Sequence, residues 1–97
     1  MEKPRNIALS AVSAERDRQL EKWGDQSGIS LYEYMSILGE EYGELCQAVN
    51  ETCFMNPKHP EKGGRENIIK EVSQVAAVAI ALIEDMLNQA ESSKTEG

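Results

Sequence analysis

Nine consecutive apolar residues, Val75-Ala76-Ala77-Val78-Ala79-Ile80-Ala81-Leu82-Ile83, constrain this chain more than any other feature. They lie inside a helix predicted from near Arg65 to about Ala90. A helix that is apolar on every face must be covered on every face. The run is far short of the ~20 residues a membrane span needs, so protein and not lipid has to cover it. With 97 residues the chain has room for one domain and only two other helices. One copy can hardly enclose the run, and small all-helical chains bury a modest share of their surface. The expectation is an all-α fold: a small helical bundle with three main helices per chain, completed by oligomerisation into at least a dimer. The alanines permit close helix approach.

The other two helices follow from local signals. Asn6 can cap a first helix running to about Lys22, with Pro4 just outside it. Its apolar face is thin, Ile7, Ala11 and Ala14, and its second half is dense in charge. Trp23-Gly24-Asp25-Gln26-Ser27-Gly28 reads as a loop. Ser30-Leu31-Tyr32-Glu33 matches a capping box, which starts a second helix at Leu31. Leu31, Tyr34, Met35, Leu38, Tyr42, Leu45 and Val49 give it an apolar stripe, and Asn56-Pro57-Lys58-His59-Pro60 ends it near Cys53. Phe54 to Gly64 is then a loop. Residues 1–90 form the single helical domain, and 91–97 read as a disordered polar tail.

Charge and cysteine usage narrow the setting. A formal net charge of −7 argues against a nucleic-acid backbone or an anionic membrane as the main partner. It does not argue against a nucleotide, because a divalent cation reverses the local field. Cys46 and Cys53 are too few and too close for a secreted disulfide framework, and no apolar core follows the charged N-terminus as in a signal peptide. The expected compartment is cytoplasmic.

Glu40-Glu41-Tyr42-Gly43-Glu44 carries the chemistry. Glu41 and Glu44 are three apart and Glu40 and Glu44 four apart, so all three leave one side of the helix. A solvated acidic face is the common outcome of such a run. Here Glu41 falls inside the apolar stripe, between Leu38 and Leu45, and Glu44 on its margin. A buried unpaired carboxylate is costly and must be neutralised, paired or metal-bound. On the third helix Glu71 and Gln74 are again three apart, at the start of the apolar run. Antiparallel packing would set Glu41 and Glu44 against Glu71 and Gln74, an oxygen cage suited to a hard divalent cation. Ion pairing with Lys70 or Arg65 is the competing explanation.

Glu40-Glu41-Tyr42-Gly43-Glu44-Leu45 followed by Glu71-Val72-Ser73-Gln74 resembles the E-E-x-x-E … E-x-x-D signature of the all-α nucleoside triphosphate pyrophosphohydrolase superfamily, in particular its short MazG-like members. Glu15-Arg16-Asp17-Arg18-Gln19 with Lys22-Trp23-Gly24, and the run from Gln74 to Ala79, extend the resemblance over about Glu15 to Glu84. It implies a helical dimer or tetramer that hydrolyses the α–β phosphoanhydride of a nucleoside triphosphate to a monophosphate and pyrophosphate. It also implies Glu41, Glu44 and Glu71 as ligands of Mg²⁺ (or Mn²⁺), with Gln74 in the fourth ligand position. There the family has an aspartate. An amide oxygen can ligate Mg²⁺ but brings no charge. Asp85 lies roughly 16 Å further along the axis and cannot replace it.

Phosphoryl chemistry at such a site is mostly positioning and charge neutralisation. Glu44 or Glu40, at its edge, could accept the proton of an attacking water. Lys70, Arg65, Arg16 and Arg18 are the candidate phosphate contacts, and Trp23 could stack on a base; each also has an ordinary reading as surface charge or core cap. The only histidine, His59, sits in a proline-flanked loop, which disfavours covalent catalysis and a di-iron centre. The rival reading is a non-catalytic helical oligomerisation or nucleotide-sensing module on the same scaffold, with Gln74 as its best support. Phosphoribosyl-ATP pyrophosphohydrolase is a lesser option within the enzyme class.

Overall fold

The computed structural model describes residues 3–24 and 28–96, with side chains as far as Ala90. Among the described residues the chain is all-helical: α1 (Pro4–Trp23), α2 (Leu31–Cys53), a 3-10 turn (Pro60–Lys62) and α3 (Arg65–Glu96). α3 is the axis of the fold. Both α1 and α2 pack against it and hardly touch each other.

The caps explain most of the boundaries. The Ser30 side chain accepts from the Glu33 amide while the Glu33 side chain reaches back to the Ser30 amide, so α2 opens on the expected capping box. α1 starts earlier than Asn6 capping would place it. Lys3 is the cap residue and Pro4 is the first helical position, where its fixed φ suits the helix and its missing N–H costs nothing. α1 also includes Trp23 and stops at Gly24, whose φ of 71° only glycine adopts freely. Asp25 to Ser27 of the expected loop lie outside the described residues. α3 begins at Arg65 as expected but continues through Glu96, past the expected end at about Ala90 and into the segment read as a disordered tail. No glycine or proline interrupts it before Gly97.

The Thr52 side chain ties the α2–α3 junction. The Thr52 hydroxyl donates to the Ala48 carbonyl at 2.6 Å and accepts from the Gly64 amide at 2.7 Å. Where α2 ends it thus holds the residue that precedes α3.

The core is small. Tyr34 from α2 meets Val78 and Ala81 from α3, with Ile29, Ile37, Leu38 and Leu82 packed around them. Tyr34 is 4% exposed. The apolar face expected on α1 is covered only in part. Ala11 is half-buried but Ile7 and Ala14 are exposed, and Val12, Glu15, Arg16 and Gln19 are buried or half-buried beside it. Arg16 Nε contacts Glu84 Oε1 at 2.7 Å and ties α1 to α3.

The resulting layer has two unlike faces. On α3, buried Ala77, Val78, Ala81 and Asp85 point toward α1 and α2. Ile69, Val72, Ile83 and Met86 are exposed on the opposite side at helical spacing, with Ala76 and Ala79 between them. Leu31, Met35, Tyr42 and Val49 add an exposed row on α2, on the side turned away from α1. The molecule measures 58 × 37 × 19 Å, less than two helix diameters in its thinnest direction. Its radius of gyration, 16.2 Å, exceeds the ~13 Å of a compact chain of this length. No described helix is long and apolar enough to cross a membrane.

Candidate metal and nucleotide site

The acidic residues gather on the α1 side of the layer. Glu41 and Glu44 project from α2 and Glu71 from α3, and each offers an oxygen within 4.8 Å of the other two. Helical spacing puts the first two on one side of α2, and antiparallel packing supplies the third. Glu41 and Glu71 are half-buried and Glu44 is exposed at the rim.

This grouping is electrostatically uncomfortable. Burial pushes the Glu41 carboxyl above its ordinary value of 4.5, and the charges of Glu44, Glu71, Glu15 and Glu40 add to the rise. Burial likewise raises Glu71, followed by the Glu44 charge and a hydrogen bond with Glu44, while Lys70 opposes the shift.

Gln74 completes the group. Its terminal amide faces Glu41 Oε2 and Glu71 Oε2, which as carboxylate oxygens accept. The amide nitrogen is therefore the atom that points at them, donating at 3.1 Å and 2.9 Å respectively.

The donor set fits a hard divalent ion. Six oxygens at 2.0–2.1 Å from Mg²⁺ stand about 3 Å apart when adjacent and about 4.2 Å apart when opposite. Carboxylate oxygens within 4.8 Å of one another need only a small closure to reach that range. A cation would also remove the repulsion that raises Glu41 and Glu71.

Two recesses flank the cluster. One, of about 180 Å³, is lined by Gln19 and Trp23 of α1, Tyr34, Ile37, Glu40 and Glu41 of α2, and Val78 and Ala81 of α3. Whole ligands usually occupy ~300–1,000 Å³, so it has room for one flat group. The other, of about 380 Å³, is polar and is lined by Glu44, Gln47, Glu61, Lys62, Asn67, Lys70 and Glu71.

The expected site residues are thus divided. Glu41, Glu44, Glu71 and Gln74 come together, with Glu40 in the apolar recess, Lys70 in the polar one and Trp23 in the wall of the first. Arg65, the first residue of α3, lines neither recess. Arg18 is engaged by Glu15 and lies 6.0 Å from the Trp23 ring centroid, with Lys22 Nζ at 5.2 Å from the same ring. Arg16, also weighed as a phosphate contact, is committed to Glu84.

Sequence reading missed Glu15, Gln19 and Lys62. Glu15 is near enough to raise both Glu41 and Glu71. Gln19, 4% exposed, forms part of the apolar recess. The available signal was their four-residue spacing on α1, but periodicity searches follow apolar residues and these are polar. Lys62 precedes α3 in a turn, so no helical pattern marks it. Compared with family models, with curated proteins and with solved structures, the chain matches none.

Proposed function

We propose that this protein is a Mg²⁺-dependent nucleoside triphosphate pyrophosphohydrolase of the MazG-like kind, working as an oligomer. One observation carries the reading: Glu41, Glu44 and Glu71 converge from two helices on a common point, between a recess walled by an aromatic ring and a polar recess with two lysines. A solvated acidic surface has no reason to place two of its three members half-buried.

The arrangement suits a ligand with a flat end and an anionic end. The base would enter beside Trp23 and Tyr34, and the phosphates would cross the carboxylate cluster toward Lys62, Lys70 and Asn67. Glu41, Glu44 and Glu71 would hold the ion, with Mn²⁺ an acceptable substitute. When bound, Mg²⁺ supplies charge neutralisation across the phosphate oxygens. Glu44 at the rim, or Glu40 beside it, accepts the proton of the attacking water. The new phosphorus–oxygen bond forms as the bridging α–β bond breaks, and pyrophosphate leaves as the anion the lysines attract.

The apolar reverse face supports self-association. The rows on α2 and α3 run together on the side turned away from the site, and two such faces stacked about a two-fold axis would make a four-helix core. Ala76 and Ala79 sit in the middle of the α3 row, where the closest approach would fall.

The second reading, a nucleotide-sensing or oligomerisation module without turnover, is favoured by one feature. Gln74 brings no charge to the cluster, and the orientation in which its amide bonds both Glu41 and Glu71 presents the nitrogen and not the oxygen. Pyrophosphate release from a panel of ribo- and deoxyribonucleoside triphosphates with Mg²⁺ decides between them. Release that Glu41→Gln abolishes supports the enzyme; a folded protein that releases none from any nucleotide supports the sensing module.

A further inference from the structure

We propose that Gln74 is a donor latch that occupies the place of the cation, holding the metal-free site together and yielding when a divalent ion enters. This rests on the reading of Glu41, Glu44 and Glu71 as a cation site, and it assigns that site its regulation.

The argument starts from what the amide can do. A glutamine side chain carries two N–H donors on one nitrogen, enough to serve two carboxylates at once. In the orientation that lets its amide bond both, the Gln74 nitrogen lies 3.1 Å from Glu41 Oε2 and 2.9 Å from Glu71 Oε2. These are the two half-buried members of the trio, for which water is the poorest substitute partner. They also belong to different helices, so the amide cross-links α2 to α3 at the level where their carboxylates repel.

Residue type then sets the behaviour. An aspartate at position 74 would add a fourth negative group and make a cation necessary to hold the helices together. Glutamine offers a positive dipole end instead, so the folded state does without the ion. For the ion to bind, both hydrogen bonds must break and the amide must turn its oxygen inward or swing aside. Affinity is lowered by that exchange, and the site fills only when divalent ions are plentiful. The residue is a positioning residue: it acts on the ligands and not on the reacting atoms.

The test is thermal unfolding of the full chain, in EDTA and in saturating Mn²⁺, for the wild type, Gln74→Met and Gln74→Glu. Methionine keeps the length without donors, and glutamate keeps the shape with acceptors only. In EDTA both variants are expected to melt about 4–8 °C below the wild type. Mn²⁺ is expected to raise Gln74→Glu by more than it raises the wild type. Equal melting temperatures in EDTA, with circular dichroism showing all three folded, would overturn the latch even if Mn²⁺ stabilises every one of them. Variants that lose stability in EDTA while no protein, wild type included, responds to Mn²⁺ would keep the donor bridge and overturn the cation site.

Discussion

Arg18 grips Glu15 within one turn of α1, Nη2 to Oε2 at 2.6 Å and Nε to the two carboxylate oxygens at 2.9 and 3.0 Å. The acid that α1 directs toward the cluster is therefore partly offset by its own helix, although its charge still raises Glu41 and Glu71. Gln19 adds a weak contact to the same carboxylate at 3.5 Å. Arg18→Gln is expected to lower the melting temperature by a few degrees at most in EDTA at low ionic strength. High salt is expected to erase the difference, because screening weakens the freed repulsion. Paired melts at two salt concentrations check it.

Glu41→Gln removes the acid that carries the most crowding. Pyrophosphate release is expected to fall at least ~100-fold, in line with the loss of a group that acts on developing charge. The metal-free protein is expected to gain stability, because a half-buried charge with four acidic neighbours is gone. A parallel loss of activity and of metal-free stability would instead mark Glu41 as structural.

The acid response of the metal-free protein has an unusual sign. Glu41 and Glu71 are raised above 4.5 in the folded state, so the folded state binds protons more readily than the unfolded chain. Their contribution is destabilising above their folded values and is relieved as pH falls through those values toward 4.5. Melting temperature in EDTA is expected to rise as pH drops from neutral into that window. Mg²⁺ is expected to flatten or reverse the trend, since its ligands must be deprotonated. Scans across pH with and without Mg²⁺ read both signs.

The apolar reverse face predicts the assembly state. Val72→Glu and Ile83→Glu each place a charge in the exposed α3 row, away from the carboxylate cluster. Each is expected to shift the protein from oligomer to monomer in light scattering. The concentration dependence of the wild-type melting temperature should vanish with it.

Two glycines should respond oppositely to alanine. A Cβ on Gly63 would lie 2.9 Å from the Glu51 carbonyl carbon and 3.0 Å from the Thr52 amide nitrogen, both backbone atoms at the end of α2. Gly63→Ala is expected to cost about 1–3 kcal/mol. Gly43 sits inside α2 with open space around it, and Gly43→Ala is expected to add about 0.5–1 kcal/mol. Chemical denaturation of the two variants measures both.

Much of this architecture is local and could be read from residue order. The capping box at Ser30 and Glu33, the start of α3 at Arg65 and the position of Glu41 within the α2 stripe each depend on neighbours within four residues. Helical periodicity reports such relations directly. The gathering of Glu41 and Glu44 with Glu71 and Gln74 was legible for the same reason, given antiparallel packing.

The sequence by itself determined the helical class, the three helices and the identity of the three carboxylates with Gln74, because those follow from spacing along one chain. Only the tertiary structure decided which face of α1 is covered, that Glu15 and Gln19 join the site, and that Lys62 sits across the cluster from Trp23. It also decided that the Gln74 amide lies against both Glu41 and Glu71. Those choices depend on groups far apart in sequence, and on polar contacts whose energy depends on geometry rather than on hydrophobic pattern.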